Sequence, residues 1–285
     1  MITFPNCKIN LGLNIVNKRS DGYHDIETAF YPLQLKDAIE VVEEKNVLQI
    51  AIGTMLNVQF SMSGLAIEGE AGNNLCIEAY DLLKKDFPTL PAVQMHLHKT
   101  IPMGAGLGGG SADGAFTLKL LDKKFDLDLS EKQLINYSLQ LGSDFPFFNL
   151  NKPCFATGRG EISEQIDIDL SAYKIFIIHP GIHISTAWAF QQLSGRLQRP
   201  DRHKNIKEII QQPIETWKDE LKNDFEIPVF AKYPEIKKIK DELYNAGAVY
   251  ASMSGSGSAV YGIFNSKEKL SFSFPKYYFV KELNV

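Results

Sequence analysis

The sequence predicts a protein that mixes β-strands with α-helices, organised as one large domain or two ordinary ones. Residues 4–16 alternate apolar and polar side chains, which indicates a strand with one buried face. Residues 93–98 repeat that alternation, and a glycine-rich stretch and an apolar stripe of helical spacing follow them. The organisation changes near residue 155, and a length of 285 residues suits either number of domains.

Composition narrows the class of protein. With 44% hydrophobic and 22% charged residues, the chain has the balance of a soluble globular protein. Its net charge is −4 and it has no basic block, so a surface that neutralises nucleic-acid phosphates is disfavoured. No apolar run reaches transmembrane length, and the first residues lack the pattern of a signal peptide. We therefore expect a cytoplasmic protein that binds neither membrane nor nucleic acid, and no feature indicates an obligate protein partner.

The three cysteines agree with that compartment. Cys7, Cys76 and Cys154 are few, odd in number and far apart. Reduced thiols in the cytosol are the simplest explanation, and the spacing makes no metal site. We expect all three to be small buried residues.

The first strand carries two polar residues of interest. Lys8 and Asn10 share the polar face of the strand over residues 4–16. That face is either simply exposed or part of a site. Because Asn and Lys have low strand propensity, a functional site is at least as favoured as a simply exposed face.

A polar turn follows and ends in two ring side chains. Asp21-Gly22 is a hairpin signal, and Tyr23 and His24 then head a strand over residues 26–33. Taken alone, such a Tyr-His pair is more often structural than functional.

The segment up to the glycine stretch reads as more strands and one helix. Residues 35–70 predict short strands of a meander, such as Ala38–Val42 and Val47–Ile52. Asn73 or Asn74 is a suitable N-cap for the helix that follows.

His96 and His98 point to one face of the strand before the glycine stretch. An H-x-H pair can ligate a metal ion, but no third ligand is visible nearby. A solvated strand face is therefore favoured over a metal site.

The chain is organised around the glycine stretch, residues 102–112, which lies between a predicted strand and a predicted helix. Glycines let the backbone approach a ligand closely and adopt positive φ. The N–H groups at the helix start then point at an anion, and the helix dipole adds to the attraction. The arrangement therefore predicts a phosphate-binding loop. The alternative is a glycine-rich turn with no ligand.

Two common nucleotide loops fit this stretch poorly. The P-loop pattern ends in Gly-Lys-Ser/Thr, whereas Ser111 follows Gly110 here. The dinucleotide pattern G-x-G-x-x-G occurs literally over residues 104–109. Asp126 and Asp128 lie near the distance of its acidic residue, but the residues after them form a capping box, which starts a helix rather than ending a strand.

Asp144 is the strongest candidate for an acidic residue with a function. A capped helix over Glu131–Leu141 is predicted to stop at Gly142, and Asp144 then lies among three phenylalanines and a proline. Apolar neighbours raise the pKa of a carboxyl, and a nearby cation lowers it again. An isolated acid in such surroundings costs stability, which favours a function. The alternative is the N-cap of a short turn.

The second half of the chain predicts a further set of elements. In order, these are a glycine-punctuated connection over 155–161, a strand over Lys174–Ile178, a helix that starts at Ser185-Thr186 and carries Trp188 and Phe190, a short helix around Ile206–Ile210, a helix from Pro234 closed at Gly247, a small-residue loop over 252–259 and a strand over Val260–Phe264.

Several separated segments together resemble the GHMP kinases, the family of galactokinase, homoserine kinase, mevalonate kinase and phosphomevalonate kinase. Residues 102–111 are similar to the family's phosphate loop, P-x-x-x-G-L-G-S-S-A, with Gly109-Gly110 in place of two serines. The turn R-S-D-G-Y-H over 19–24 and the loop G-L-G-G-G-S together resemble one branch, which phosphorylates a cytidine-diphosphate-linked methylerythritol in the non-mevalonate route to isoprenoids. The other matching segments are 8–11, 74–75, 142–147, 179–181, 223–226 and 254–257.

The resemblance implies a two-domain α+β fold. The N-terminal, ATP-binding domain would span 1–155 and mix strands and helices around a left-handed βαβ unit, and a ferredoxin-like C-terminal domain would span 156–285. In the family, ATP and the alcohol meet in the cleft between the two domains. The implied reaction transfers the γ-phosphoryl of ATP to the 2-hydroxyl of the small-molecule substrate.

The resemblance also implies roles for single residues. Lys8 and Asp144 match the catalytic pair, in which the aspartate accepts the hydroxyl proton and the lysine orients it and stabilises negative charge. Tyr23 and Phe190 match the rings on either side of cytosine, and His24 matches the residue that hydrogen-bonds the base edge. The other matched substrate positions are Asn10 and Thr186. The matched ATP positions are Asn74 and Lys99 at the adenine and, along the triphosphate loop, Pro102, Met103, Gly104, Ala105, Gly106, Leu107, Gly108, Gly109, Gly110, Ser111 and Ala112.

One departure from the branch concerns Mg²⁺. Ala112 stands where a second serine is usual, and across the wider family a loop serine and a distant glutamate hold the metal. We therefore expect no protein ligand for a metal, and Mg²⁺ carried chiefly by the ATP phosphates and water.

Three rival interpretations stay open. A GHMP kinase for another alcohol is disfavoured by Tyr23, His24 and Phe190, whose rings suit a nucleobase. A non-catalytic nucleotide-binding module is disfavoured by the presence of both Lys8 and Asp144, because binding alone needs no base. A dehydrogenase is disfavoured because a capping box starts a helix after Asp126 and Asp128, where the dinucleotide pattern requires a strand to end.

Overall fold

A computed structural model describes residues 1–44, 57–65, 74–193, 205–268, 270 and 272–285. The strands are β1 (Ile2–Thr3), β2 (Asn6–Lys18), β3 (His24–Lys36), β4 (Ala38–Glu43), β5 (Val58–Gly64), β6 (Val93–Lys99), β7 (Cys154–Thr157), β8 (Ile162–Gln165), β9 (Tyr173–His179), β10 (Tyr250–Met253), β11 (Val260–Asn265) and β12 (Phe279–Asn284). The helices are α1 (Leu75–Asp86), α2 (Gly109–Phe125), α3 (Glu131–Leu141), α4 (Phe145–Leu150), α5 (Thr186–Leu193), α6 (Ile206–Ile210), α7 (Trp217–Glu220), α8 (Glu226–Lys232) and α9 (Pro234–Asn245).

The chain divides into two compact units, each assembled from separate stretches. The first unit contains Met1–Cys7, Leu35–Ile101 and Gly109–Asn151, and the second contains Lys8–Gln34, Pro102–Gly108 and Lys152–Val285. The chain therefore passes from one unit to the other inside the first long strand and inside the glycine stretch. The contiguous domains 1–155 and 156–285 stay a prediction.

The first unit is built on the sheet β1-β4-β6-β5. β4 pairs antiparallel with β6, but β5 pairs parallel with it. The predicted meander is wrong for the strands that the structure describes over residues 35–70, because β4 and β5 both pair with β6 and not with each other. α1 lies between β5 and β6 in sequence and returns the chain so that these two strands run in the same direction. The predicted strand Val47–Ile52 lies outside the described residues.

The helices of the first unit begin and end where local chemistry indicates. Asn74 is the N-cap of α1, and its side-chain oxygen accepts a hydrogen bond from the backbone N–H of Cys76 at 2.9 Å. Ser130 and Gln133 form the predicted capping box of α3, which ends at Gly142. One face of the sheet and these helices enclose a core whose buried members include Val41, Met95, Leu97, Tyr80, Leu83, Leu118 and Leu121.

The second unit contains most of the sheet β2-β3-β7-β8 and all of the sheet β10-β11-β9-β12. The latter is antiparallel throughout. The apolar stripe of α9 that the sequence predicts, Ile236, Ile239 and Leu243, is buried in a core with Ile178 and Val260 of that sheet. The sequence spacing of these residues therefore indicated their burial correctly.

The cysteines are buried, as predicted. Burial raises the pKa of the Cys154 thiol to about 12, and it also raises the pKa of Cys76 far above its ordinary value. Within the described ranges, no helix is long and apolar enough to cross a membrane.

Candidate functional site

Lys8 and Asn10 are buried in the middle of β2, with 3% and 2% of their surfaces exposed. The Lys8 Nζ donates to Asn10 Oδ1 at 2.6 Å and to the carbonyl of Gly106 at 3.3 Å. Asn10 in turn donates from Nδ2 to the hydroxyl of Thr28 at 2.9 Å. The alternative of an exposed strand face is therefore wrong. A buried ammonium is costly unless it is hydrogen-bonded, and here its partners include the glycine stretch.

The glycine stretch requires its glycines for two separate reasons. Gly104, Gly106 and Gly108 have φ of 63°, 79° and 70°, which side chains rarely adopt. A Cβ on Gly106 would also lie 1.9 Å from the carbonyl oxygen of Ser254, so no other residue fits there. The loop is fastened to β2, since the backbone N–H of Lys8 donates to the carbonyl of Leu107 at 2.9 Å.

The small-residue loop over 252–259 holds the glycine stretch, a role that sequence reasoning missed. The Ser254 hydroxyl donates to the carbonyl of Gly106 at 2.9 Å and accepts from the backbone N–H of Asn10 at 3.2 Å. Asn223 fixes this loop by donating from Nδ2 to the carbonyls of Met253 and Gly255 at 2.7 and 2.9 Å. The available signal was the alternation of serine and glycine, whose small side chains allow this close approach.

In the first unit, α2 begins at Gly109, as the phosphate-loop interpretation requires. Gly110, Ser111 and Ala112 complete its first turn, which contains no acidic residue. The N–H groups of a first turn lack intrahelical partners, so they can bind an anion. Gly109 is also needed for packing, because a Cβ there would lie 2.8 Å from Cγ2 of Ile101.

The two predicted adenine residues have structural partners. The Asn74 oxygen caps α1, and its Nδ2 lies 3.9 Å from the Met62 sulfur. The Lys99 side chain is fully buried, where its Nζ bonds Asp37 and Asp113. Because that ammonium is held by two carboxylates, a contact between Lys99 and adenine would have to come from its backbone.

Asp144 immediately precedes α4 and occupies its N-cap position, but its side chain makes no capping hydrogen bond. Its neighbours Phe145, Phe147 and Phe148 are buried, as the sequence suggested. The capping alternative therefore does not explain why this position is acidic.

The predicted base-binding rings have unlike surroundings. Tyr23 is 56% exposed, and the guanidinium of Arg159 lies over its ring at 4.9 Å. His24 is buried and stacks on Phe190, with ring centroids 4.8 Å apart and an interplanar angle of 15°. Burial, together with the charge of Lys18, lowers the pKa of His24, so its ring is neutral at pH 7. Its Nε2 is buried and has no hydrogen-bond partner among the described residues.

The structure brings Tyr23 and Phe190 into the same compact unit, although the predicted domains separate them. Phe190 stacks on His24 and also contacts Phe225 edge-on, with ring centroids 4.9 Å apart, so a base that stacks on Phe190 would have to displace part of this packing. Thr186 opens α5 on the surface, and its hydroxyl lies 3.0 Å from that of Ser256.

The two histidines of β6 are hydrogen-bonded on the surface of the first unit. His96 contacts the hydroxyls of Ser61 and Ser63, and His98 contacts Ser63, each at 2.8–2.9 Å. Within the described ranges, no group of three or more His, Cys, Asp or Glu side chains is placed to hold a metal ion.

Two family models match the chain. The model described as GHMP kinases N terminal domain matches residues 74–152, and the one described as GHMP kinases C terminal matches residues 205–272.

Curated relatives match over nearly the full length. A protein of Bacteroides fragilis named 4-diphosphocytidyl-2-C-methyl-D-erythritol kinase is 49% identical over 95% of this chain and 94% of its own length. Proteins with the same name from Azobacteroides pseudotrichonymphae and Cytophaga hutchinsonii are 48% and 47% identical, with at least 93% of each chain covered.

Solved structures agree with these matches. A crystal structure of 4-(cytidine 5'-diphospho)-2C-methyl-D-erythritol kinase superposes with a TM-score of 0.72 at 27% identity, covering 92% of this chain and 89% of the other. Methanococcus jannaschii mevalonate kinase gives a TM-score of 0.70 at 14% identity, covering 100% and 98%, which shows a shared fold.

Proposed function

Because the chain belongs to the GHMP kinase family, we propose that it transfers the γ-phosphoryl group of ATP to the 2-hydroxyl of 4-diphosphocytidyl-2-C-methyl-D-erythritol. The comparisons confirm the family and the two-domain α+β fold class predicted from the sequence. They also support the substrate, since the near full-length relatives carry the name of this kinase. A place in the non-mevalonate route follows from that substrate.

The observation that carries the proposal is the bond from the buried Lys8 ammonium to the carbonyl of Gly106. It ties a positive charge to the glycine stretch, whose positive φ at Gly104, Gly106 and Gly108 supports the proposed phosphate loop. In phosphoryl transfer the protein chiefly positions the reactants and stabilises charge on the transferring group. Lys8 is suited to the second task, and Asn10 holds the lysine in place through its 2.6 Å hydrogen bond.

Asp144 is the proposed general base. An ionised carboxylate can accept the proton of the substrate hydroxyl as the oxygen attacks the γ-phosphorus. ATP is the proposed co-substrate, with its phosphates on the glycine stretch and the first turn of α2. Ala112 stands where the branch usually has a serine, so we assign Mg²⁺ chiefly to the ATP phosphates and water.

The alcohol substrate would be recognised through its cytosine base. Tyr23 offers an exposed ring, and Phe190, which stacks on His24, is the second ring that the family resemblance implies. The buried Nε2 of His24, for which the described chain supplies no partner, is suited to a hydrogen bond with the base edge. Thr186 and Asn10 are the remaining substrate positions of the proposal.

The direct test is a kinase assay with purified protein, ATP and a panel of alcohols. The panel contains 4-diphosphocytidyl-2-C-methyl-D-erythritol, mevalonate, homoserine and galactose, and ADP release is followed together with the phosphorus NMR spectrum of the product. We expect turnover with the first alcohol alone and a new phosphomonoester at its 2-position. Faster turnover of an alcohol without a base would replace the proposed substrate.

Asp144→Asn tests the base. The amide is nearly isosteric but cannot take the proton, so kcat should fall by about 10²–10⁴-fold while ATP binding is retained. Asp81→Asn, an identical change on the exposed surface of α1, is the matched control and should leave kcat unchanged. A folded Asp144→Asn protein with the turnover of the control would remove Asp144 from the mechanism.

A further inference from the structure

Three charged side chains of the first unit form a buried cluster that the proposed chemistry does not use. The Lys99 side chain, at the end of β6, is fully buried; its Nζ bonds Asp37 Oδ2 and also lies 2.7 Å from Asp113 Oδ2. Asp37 lies between β3 and β4, and Asp113 lies in the second turn of α2. Burying three charges is costly, and such clusters often persist because they fix one arrangement of the backbone.

The cluster joins the two chain segments that flank residues 102–108. Asp37 Oδ1 accepts hydrogen bonds from the backbone N–H groups of Thr100 and Ile101, at 2.6 and 2.9 Å. The Lys99 ammonium lies beneath the first residue of α2, since a Cβ added to Gly109 would lie 3.4 Å from Nζ. Asp113 belongs to that helix. The same three side chains therefore set where the chain leaves β6 and where α2 begins.

The charge of the cluster depends on a single proton. With both carboxylates ionised, one lysine faces two aspartates and the net charge is −1; with Asp113 protonated it is zero. Helix geometry places Asp113 about 6 Å along the axis from the first residue of α2. A buried negative charge so close to the anion-binding end of the helix opposes a bound phosphate, and a neutral cluster does not.

We infer that Asp37, Lys99 and Asp113 are positioning residues for the nucleotide: they hold the start of α2 against the end of β6, and Asp113 carries a proton while the phosphates of ATP are bound. This inference rests on the proposed use of ATP, but not on the identity of the alcohol. Lys99, which matches an adenine position of the family, is thereby given a positioning role for the segment that binds the phosphates.

The surroundings of Asp113 support a proton there. Burial raises the pKa of its carboxyl to about 8, although Lys99 opposes the rise. The groups that face it are Asp37, Lys99 and, from α1, the neutral thiol of Cys76. Its Oδ1 is buried without a hydrogen-bond partner in the part of the chain that the structure describes, a costly state for an ionised oxygen.

Asp37→Asn tests the positioning role. The amide oxygen can keep the bonds from Thr100 and Ile101, but the amide nitrogen then faces the Lys99 ammonium. We expect the Kd for ATP, measured by calorimetry without any alcohol, to rise about 10-fold, while the KM for the alcohol is unchanged. A KM for the alcohol that rises as much as the Kd for ATP would indicate a general loss of structure and overturn the assignment.

Asp122→Asn is the matched control. Asp122 also accepts a backbone hydrogen bond, from the N–H of Leu129 at 3.0 Å, but it lies in the last turn of α2, at the opposite end of that helix from the glycine stretch. Asp122→Asn should leave the Kd for ATP unchanged. An equal rise of that Kd in both variants would also overturn the assignment.

Asp113→Asn tests whether Asp113 carries a proton while ATP is bound. It also tests the inference if Asp37→Asn does not fold. Since ATP is proposed to bind the protonated form, the wild-type Kd should rise as pH passes about 8, by about 5- to 10-fold between pH 7 and pH 9. The amide is neutral at every pH, so the variant should keep the pH 7 affinity and lose this rise. Because ATP and the surface lysines titrate alike in both proteins, the difference between the two profiles isolates Asp113.

Parallel profiles for wild type and Asp113→Asn would disprove the proton linkage. Absence of ATP binding by the wild type would instead refute the proposed function. Turnover of a different alcohol, with ATP binding intact, would refute only the proposed substrate and leave this inference standing.

Discussion

The second unit contains two regions with contrasting construction. Around Lys8 and the glycine stretch, side chains are buried and joined by hydrogen bonds of 2.6–3.3 Å, and a Cβ on Gly106 would clash with Ser254. Around Tyr23, an exposed ring is covered on one face by the guanidinium of Arg159, and the buried His24 Nε2 has no partner among the described residues.

The contrast fits the role that we propose for each region. Stabilising charge in a transition state requires groups that are already in place, because their reorganisation would raise the barrier. Holding a flat base requires aromatic faces and one or two polar contacts, which can adjust on binding. Damage to the first region should therefore reduce kcat or the fold, and damage to the second should reduce substrate affinity.

The largest effect is expected at Lys8. Lys8→Met keeps the length of the side chain but removes its charge, so kcat should fall by about 10²–10³-fold with little change in the KM for ATP. Lys207→Met, which breaks the surface ion pair with Glu164, is the control and should leave kcat unchanged. If steady-state kinetics show a change confined to the KM for ATP, Lys8 serves only in nucleotide binding.

The next largest effect is expected at Gly106. Alanine at φ of 79° would be strained and its Cβ would meet the Ser254 carbonyl at 1.9 Å, so Gly106→Ala should lower the free energy of unfolding by about 2–5 kcal/mol. Gly181 has φ of 77° with open space around it, so Gly181→Ala isolates the backbone strain and should cost about 1–2 kcal/mol. Equal costs in urea denaturation would mean that the loops are not in close contact.

A smaller effect, confined to substrate binding, is expected at the rings. Tyr23→Ala should weaken cytidine diphosphate binding by about 1–3 kcal/mol, the amount typical for one stacked base, and adding Phe190→Ala should weaken it further. Calorimetry should show an unchanged affinity for ATP in both variants. Cytidine diphosphate should also compete with the alcohol and not with ATP. Equal binding of cytidine diphosphate by wild type and double variant would make these rings ordinary packing residues.

The smallest effect concerns pH. The folded pKa of His24 lies below its ordinary value because of burial, so the unfolded chain binds the proton more readily. The stability contributed by neutral His24 is therefore present above pH 6.5 and is lost as pH falls below it. His24→Gln should flatten the decline in melting temperature between pH 7 and pH 5, and a decline identical to that of the wild type would show that His24 does not contribute.

The local elements were open to prediction from sequence because their causes are local. The alternation in β2, the capping box of Ser130 and Gln133 and the N-cap Asn74 each depend on residues a few positions apart. The strand, the glycine stretch and the helix were predictable for the same reason, since they follow one another directly. Phosphate binding by this stretch stays a prediction. The error over residues 35–70 arose where pairing became non-local: β5 pairs with β6, which lies beyond α1.

The supporting side chains could not be predicted because their bonds span long distances along the chain. Ser254 bonds a carbonyl 148 positions away and an N–H 244 positions away. Lys99 bonds Asp37 across 62 positions, which places its side chain in a buried cluster. Such partners have no spacing rule, because they meet only when separate stretches pack together.

By itself, the sequence determined the glycine stretch, the helix that follows it, the strand with Lys8 and Asn10 on one face, and the resemblance that predicted the family. These properties depend on short-range periodicity, backbone conformation and residue type. The tertiary structure decided which residues hold that site: Ser254 and Asn223 behind the glycine loop, and Asp37 and Asp113 around Lys99. The physical reason is burial, since a polar group removed from water must find its partner wherever the packed chain places one.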